Sequence, residues 1–256
     1  DRLTVTYQPI IDTHTGTISG IEAVPLWFHP IHGPIDSVAL ASIAEDENIH
    51  TKLDQTVFRL ALEGARHLRV MADTSLTVSI NLSSLQTPNF ELAESLLETL
   101  KSFEFPLESI CLNFAENSVV GADVQAIAAL RKLSGAGLQI AIDGFGSGGL
   151  GFGGISSMPI SHLKLHPALV AGLPDDPGAA TIIDTTIELA HRRALKVIAS
   201  GVQTPEQMTA LRAMGCDEVQ GPLLASTRGG AYLKQLLDPI HPSEPGQRQP
   251  TRRRLR

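Results

Sequence analysis

The chain has 256 residues, of which 43% are hydrophobic and 18% are charged, so it can bury a sizeable core as one large domain or two small ones. This composition excludes a wholly disordered, collagen-like or coiled-coil chain. The formal net charge of -7 argues against a nucleic-acid-binding surface over the body of the protein, because phosphate binding requires clustered lysine and arginine.

The sequence also indicates where the chain acts. No apolar run reaches the roughly 18 uninterrupted residues of a membrane-spanning helix, and the N-terminus shows no basic segment followed by an apolar stretch. A soluble, cytoplasmic chain without a secretion signal is therefore predicted. Cys111 and Cys216 lie far apart in apolar surroundings, which favours buried thiols in a reducing compartment over a disulfide.

Short β-branched runs alternate with longer segments of helical periodicity, and each pair takes roughly 30 residues, the size of a βα unit. The predicted strands are residues 4–9, 18–26, 76–81, 110–114, 139–143, 162–165, 196–200 and 218–223. The predicted helices are residues 37–47, 53–71, 91–101, 124–136, 179–193, 205–214 and 230–237. This many repeats fits a single closed (βα)8 barrel better than an open doubly wound sheet.

The barrel is predicted to span residues 1–240, and a different segment follows it. Residues 241–256 are rich in proline, glutamine and arginine and have almost no apolar content. Because such a segment cannot offset its ordering entropy by burying apolar surface, it is predicted to be a disordered basic tail. A solvated extension of this kind is more common than a specific binding arm.

Polar residues stand at or near the ends of the predicted strands, where barrels of this kind place their chemistry. These residues are Glu22, Asn81, Asn113, Asp143, Lys164, Ser200 and Gln220. Taken singly, each is more often a helix cap or a loop anchor than a functional group. Seven of them at successive strand ends would point into one mouth, so the set predicts one functional site.

Six short motifs contain or surround these residues. They are YQPI at 7–10, IEAV at 21–24, INLS at 80–83, IDGFGSG at 142–148, LKL at 163–165 and VQG at 219–221. Each motif is weak alone, but their order and approximate spacing resemble the EAL domain, a family of bacterial cyclic di-GMP phosphodiesterases that fold as (βα)8 barrels. The resemblance runs from about Tyr7 to about Ser226 and implies a single TIM-like barrel of the EAL type.

The resemblance implies roles for several residues. Glu22 and Asn81 are similar to the family's first two metal ligands, and Asp143 to the aspartate that bridges two divalent ions. These oxygen donors suit hard cations such as Mg²⁺ or Mn²⁺. Lys164 resembles the lysine that assists the attacking water, and Gln220 the glutamine near that water.

Two further positions match the family. Glu116 resembles the glutamate that fixes the loop after the fifth parallel strand. Gln8 is similar to the glutamine that contacts the nucleotide, beside the metal and ligand position of Glu22. These matches alone would imply a working hydrolytic site.

Five positions depart from the family pattern. Asn113 stands in place of a third metal-ligating glutamate, and Gly144 in place of the second member of an Asp-Asp pair. Ser200 and Gln203 replace both glutamates of an Ala-Glu-Gly-Val-Glu motif. Leu26 replaces an arginine expected to contact a phosphate, and an apolar side chain offers no donors for such a contact.

These departures decide between two hypotheses. Hydrolysis by two divalent ions needs a cage of carboxylates, and the retained Glu22 and Asp143 are too few. The favoured hypothesis is an inactive EAL domain that is a weak cyclic di-GMP receptor or a protein-interaction module, with a protein partner or a second copy of itself. The alternative is a slow phosphodiesterase, in which one ion held by Glu22, Asn81 and Asp143 suffices.

Overall fold

The computed structural model describes residues 3–72, 76–82, 87–147 and 149–226. Their strands are β1 (Leu3–Asp12), β2 (Ile18–His29), β3 (Gly33–Ile35), β4 (Thr77–Asn81), β5 (Ile110–Ala115), β6 (Gln139–Phe145), β7 (His162–Leu165), β8 (Lys196–Ser200) and β9 (Glu218–Gln220). Their α-helices are α1 (Ser37–Asp46), α2 (His50–Ala72), α3 (Phe90–Phe103), α4 (Glu116–Val119), α5 (Val124–Gly135), α6 (Phe152–Ile155), α7 (Pro167–Ala171), α8 (Pro177–His191) and α9 (Pro205–Ala213). The predicted helix 230–237, the barrel boundary at residue 240 and the tail 241–256 lie outside the described residues.

The strands form one sheet in the order β1-β9-β8-β7-β6-β5-β4-β2-β3, and β1 also pairs with β2. This last pairing closes eight strands into a barrel and leaves β3 as an extra strand on the edge of β2. The predicted (βα)8 barrel is thereby confirmed. Among the helices that the structure describes, none is both long and apolar enough to cross a membrane.

The first strand departs from the simple βα repeat, because β1 runs antiparallel to both of its neighbours, β2 and β9. Only residues 13–17 join β1 to β2, and five residues are too few for the crossover that parallel neighbours require. The turn is fixed by Asp12, whose Oδ1 accepts hydrogen bonds from the backbone N–H groups of His14 and Thr15 at 2.9 and 2.8 Å. Gly16 has φ of +69°, which glycine adopts without steric cost.

Strand β2 pairs in parallel with β4, and the pairs from β4 to β9 are parallel as well. Strands β4 to β9 are mostly buried on both faces, as their nearly continuous apolar sequences predict. Leu112 in β5, Ile140 in β6 and Leu163 in β7 have 0 to 1% of their surface exposed. Leu130 of α5 and Ile183 of α8 are equally buried in the core cluster that these strands share with the helices. Each such side chain contributes roughly 1.5–3 kcal/mol through burial.

Helix starts follow the capping residues in the sequence. Thr204 begins α9 with a reciprocal capping box: its hydroxyl accepts from Gln207 N–H, and the Gln207 side chain accepts from the Thr204 N–H. Pro205 occupies the first turn, where no N–H is needed. The predicted strand 218–223 is shorter than expected, since Pro222 begins a 3-10 helix (Pro222–Ser226) and lacks the N–H that strand pairing uses.

Candidate functional site

A cavity of about 460 Å³ opens at the carboxyl ends of the parallel strands. The structure brings together nine residues that the sequence analysis singled out, and all of them line this cavity: Gln8, Glu22, Asn81, Asn113, Asp143, Gly144, Lys164, Ser200 and Gln220. They converge because parallel strands end at one rim of the barrel. Their individual roles stay predictions.

Three other predicted residues lie away from the cavity wall. Leu26 is partly buried on β2, four residues beyond Glu22 on the same face of the strand. Gln203 is exposed before α9, and its backbone N–H donates to Gln207 Oε1 at 2.8 Å. Glu116 begins α4 and holds the loop after β6.

Glu22 is the centre of the polar network in the cavity and is 6% exposed. Its Oε1 accepts from Lys164 Nζ at 3.0 Å and from Asn81 Nδ2 at 2.6 Å, and its Oε2 accepts from Gln220 Nε2. Burial acts to raise the pKa of Glu22, but the Lys164 ammonium and the hydrogen bonds outweigh it and lower the pKa below its ordinary value. The carboxylate is therefore ionised, with both oxygens engaged.

Lys164 is 2% exposed and lies between two carboxylates. Its Nζ is 3.0 Å from Glu22 Oε1 and 3.3 Å from Asp143 Oδ2. Burial acts to lower the pKa of Lys164, but the charges of Glu22 and Asp143 prevail and raise it, so the ammonium stays protonated. Two carboxylates and one ammonium leave these three groups with one net negative charge.

Asn113 and Asn81 form a chain of hydrogen bonds that leads to Glu22. Asn113 Nδ2 donates to Asn81 Oδ1 at 2.8 Å, and Asn81 donates in turn to Glu22. The carbonyl oxygen of Asn113 accepts from Cys111 Sγ at 3.6 Å. Both amide oxygens are thus engaged within the protein.

Gln220 is oriented by two acceptors. Its Nε2 donates to Gln8 Oε1 at 3.2 Å and to Glu22 Oε2, which fixes the plane of the amide. The other end of this amide, Oε1, is buried and has no hydrogen-bond partner among the described residues, and the same holds for the hydroxyl oxygen of Ser200. Both orphaned atoms belong to residues of the cavity wall.

Glu116 fastens the glycine-rich loop that follows β6. Its Oε2 accepts from Ser147 N and Oγ at 3.0 and 2.6 Å, and its Oε1 accepts from Gly149 N and Leu150 N at 3.2 and 2.6 Å. Desolvation acts to raise the pKa of Glu116, but these hydrogen bonds outweigh it and lower the pKa. The Glu116 carboxylate therefore holds this loop in position without lining the cavity itself.

Gly201 and Gly221 also line the cavity, although neither was predicted as a site residue. Gly201 has φ of +82°, and a Cβ at Gly221 would collide with the backbone of Val202. A signal was present in the sequence: glycine directly follows the polar residues Asp143, Ser200 and Gln220. Glycine at these points lets the chain turn sharply at the strand end.

The donor set does not fit a two-ion centre. Among the residues that the structure describes, no three Asp, Glu, His or Cys side chains form a group that could hold a metal ion. Ca²⁺ and Mg²⁺ take about six oxygen ligands or more, and Mg²⁺ is usually held by one or two protein carboxylates, so a two-ion centre needs carboxylates for both ions. Here both Glu22 oxygens accept hydrogen bonds, and the Lys164 ammonium contacts both Glu22 and Asp143. The residual metal site at Glu22, Asn81 and Asp143 stays a prediction.

The fold and the cavity define a TIM-like barrel with a polar site at the carboxyl ends of its strands. The family model of the EAL domain matches residues 1–227, so the chain belongs to the EAL domain family. This match confirms the resemblance that the sequence motifs indicated.

Proteins of Pseudomonas aeruginosa are among the similar relatives. The cyclic di-GMP phosphodiesterase PA2567 is 30% identical over 220 residues, which cover 86% of this chain and 37% of that protein. The cyclic di-GMP phosphodiesterase NbdA is 27% identical over 237 residues, 93% of this chain and 30% of that protein. The chain thus spans about a third of the length of the curated relatives that it matches.

Solved structures show the same fold. The PaMucR phosphodiesterase in complex with c-di-GMP superposes with a TM-score of 0.80 at 28% sequence identity. The match covers 87% of this chain and 90% of that one. The EAL domain of Mycobacterium smegmatis DcpA gives a TM-score of 0.73 at 28% identity, over 92% of this chain and 98% of that one.

Proposed function

We propose that this chain is a degenerate EAL domain that does not hydrolyse cyclic di-GMP and acts as a weak receptor in cyclic di-GMP signalling. The observation that carries the proposal is the cavity wall, where Glu22 and Asp143 are the carboxylates among the described lining residues and the Lys164 ammonium lies 3.0 and 3.3 Å from them. These are the two carboxylates left for a metal centre. An internal cation already neutralises part of their charge and contacts the oxygens that a divalent ion would need.

The neighbouring positions support the same conclusion. Asn113 carries an amide whose oxygen faces Cys111, and neither Gly144 nor Ser200 has a carboxylate. Loss of one well-placed electrostatic group typically reduces the rate of an enzyme by roughly two to three orders of magnitude. Such losses are not additive, but three of them at one centre leave little of a two-ion mechanism.

The polar residues of the cavity wall support binding of the nucleotide, whereas the net negative charge of the wall weakens it. The similar PaMucR phosphodiesterase was solved as a c-di-GMP complex, and in this chain Gln8, Lys164 and Gln220 offer polar groups on the cavity wall. Leu26 offers no donor to a phosphate, and the three charged groups carry a net negative charge that repels one. We therefore propose an affinity that is low and independent of divalent ions.

A receptor acts by changing its contacts with another molecule. We propose that this molecule is a protein partner or a second copy of the chain. Exposed apolar side chains on two helices support this role, since Val124 of α5 is 82% exposed and Ile182 of α8 is 51% exposed. We also propose that the chain acts in the cytoplasm, which its two buried, free thiols support.

Two measurements on the purified chain test the proposal. Incubation with cyclic di-GMP and Mg²⁺ or Mn²⁺, followed by chromatography, should yield no linear dinucleotide. Calorimetric titration should give the same low affinity in Mg²⁺ and in EDTA. Turnover near the median of about 10 per second for enzymes would contradict the proposal.

The slow phosphodiesterase remains the second candidate, because Glu22, Asn81, Lys164 and Gln220 meet in one cavity and relatives are named phosphodiesterases. Slow product formation that Glu22→Gln abolishes would favour it. Glu206→Gln, an exposed change of the same type in α9, is the matched control and should leave any such activity unchanged.

A further inference from the structure

Two oxygens that lack hydrogen-bond partners lie on neighbouring strands at the mouth of the barrel. Ser200 closes β8 and Gln220 closes β9, and their Cα atoms are register partners in the parallel pair. Their side chains therefore lie next to each other on the cavity wall. Ser200 Oγ and Gln220 Oε1 are both buried and unpartnered within the part of the chain that the structure describes.

A flip of the Gln220 amide group would not give its oxygen a hydrogen-bond donor. Its Nε2 donates to two acceptors, Gln8 Oε1 and Glu22 Oε2, so a flipped amide would point its oxygen at both of them. Gln220 is 4% exposed, which keeps its free oxygen away from bulk water. A buried acceptor that stays unpaired costs free energy, so this arrangement calls for a donor from outside the protein.

We infer that a ribose hydroxyl of the bound nucleotide lies between Ser200 and Gln220, an inference that rests on the proposed receptor function. A hydroxyl both donates and accepts, so it can donate to Gln220 Oε1 while it accepts from Ser200 Oγ. Adjacent strands are roughly 4.8 Å apart, and two O–H···O bonds of about 2.8 Å can bridge that gap.

Other parts of a nucleotide match the pair less well. Ionised phosphate oxygens only accept, so a phosphate would face the Gln220 oxygen acceptor to acceptor, close to the carboxylate of Glu22. A guanine edge presents an N–H beside an acceptor, but it meets the two protein atoms through two separate atoms of the ring system, whereas a hydroxyl meets both through one oxygen. A hydroxyl therefore matches the close pair best, and the comparison with a deoxy ligand distinguishes it from a base, because that ligand keeps both guanines.

The identity of residue 200 creates this pair. A glutamate there, as the EAL motif has, would add an acceptor-only charged group beside Gln220 Oε1. Serine removes that charge, supplies a donor and leaves room for a ligand group. Serine at position 200 thus favours a ligand hydroxyl, which a glutamate at this position would not do.

The test compares cyclic di-GMP with its 2′-deoxy analogue, because the 2′ positions carry the free ribose hydroxyls of the cyclic dinucleotide. Calorimetric titrations are run in EDTA on the unmodified chain, on Ser200→Ala and on Ser134→Ala, a matched control in α5. The deoxy analogue should bind the unmodified chain about three- to tenfold more weakly, the effect of one neutral hydrogen bond. Ser200→Ala should lose a similar factor for cyclic di-GMP and should no longer distinguish the two ligands as strongly.

The outcomes separate this inference from the proposed function. Equal affinities of the unmodified chain for both ligands would overturn the hydroxyl site and leave the receptor function standing. No binding of either ligand would overturn the receptor function and the hydroxyl site together. Removal of an unpaired hydroxyl should leave the melting temperature of ligand-free Ser200→Ala unchanged, and a clear decrease would overturn the inference by showing an internal partner.

Discussion

Glu22 holds together the mouth of the barrel, because it accepts hydrogen bonds from Lys164, Asn81 and Gln220 at once. Removal of one partner of a buried ion pair leaves the other charge uncompensated, which typically costs 3–5 kcal/mol. Asp143 still faces Lys164 in a Glu22→Gln variant and moderates the loss. We expect Glu22→Gln to lower the free energy of unfolding by about 3 kcal/mol at neutral pH.

The same residue predicts how stability depends on pH. The pKa of Glu22 is lower in the folded chain than its ordinary value of 4.5, so its contribution is fully present above that pH and is lost as the pH falls through the folded value. Urea unfolding from pH 7 downwards should therefore show the difference between the unmodified chain and Glu22→Gln shrinking below about pH 4.5. A difference that stays constant down to pH 3 would contradict the ionised, paired state of Glu22. Glu206→Gln, a change of the same type at an exposed position of α9, is the control.

Much of this site could be predicted at the residue scale, and a part could not. Polar residues at strand ends predict a common mouth, because the direction of parallel strands fixes where they end. Hydrogen-bond partners depend on rotamers and on the neighbours that packing supplies. The sequence therefore identified Lys164 and Gln220 but gave no sign that Lys164 contacts both carboxylates or that Gln220 keeps a free oxygen.

At the scale of elements, the loop after β6 depends on a carboxylate from another segment. Glu116, at the start of α4, accepts four hydrogen bonds from Ser147, Gly149 and Leu150. Several glycines give the backbone of this loop access to many conformations. The hydrogen bonds to Glu116 therefore select the one that is observed. The family resemblance predicts that Glu116 fixes a loop, and the structure shows which atoms it holds.

We expect Glu116→Ala to release this loop. Hydrogen exchange at the amides of Ser147, Gly149 and Leu150 should accelerate by at least tenfold, while exchange in the barrel strands stays slow. The free energy of unfolding should fall by about 2 kcal/mol, because hydrogen bonds to a charged group are lost. Glu98→Ala, an exposed change in α3, is the control. Unchanged exchange in the loop would show that the glycine-rich segment holds its shape without the tether.

The antiparallel direction of β1 is a feature that the alternation of predicted strands and helices does not reveal. The strand itself was predicted, but alternation of strands and helices suggested a uniform parallel barrel. The short connection of residues 13–17 already excluded a crossover helix, so the antiparallel start was readable from length alone. Helices of four or five residues, such as α4 and α7, are too short for any periodicity to reveal.

For the molecule as a whole, the barrel of the family is complete, and the proposed loss of metal binding concerns only side chains at its mouth. Burial of apolar strands and helices fixes the fold, and the polar residues at the rim contribute little to that packing. A sequence can therefore lose catalytic carboxylates at the mouth and keep the architecture of its family. This separation explains why the fold was predictable from motifs and pattern, whereas the activity depends on a few side chains.

The separation predicts that metal affinity can be restored on the existing scaffold. Asn113→Glu, Gly144→Asp and Ser200→Glu together add three carboxylates to the cavity, which raises its net negative charge and supplies oxygen ligands. Aspartate is among the residues that tolerate the φ of +75° at Gly144, and the nearest atom to a Cβ there is His166 Cδ2 at 3.7 Å. We expect the triple variant to bind Mn²⁺ at least tenfold more tightly than the unmodified chain in a calorimetric titration.

A control variant separates local ligands from overall charge. Ser102→Glu, Gln125→Glu and Ser157→Asp add the same charge at exposed positions outside the cavity and should leave Mn²⁺ affinity unchanged. If the cavity variant also fails to bind Mn²⁺ while it remains folded, the mouth has lost the geometry of a metal centre as well as its charge. In that case the contact of Lys164 with Glu22 and Asp143 is the remaining obstacle, because its ammonium competes with the ion for the same carboxylate oxygens. Addition of Lys164→Met to the triple variant should then recover Mn²⁺ binding.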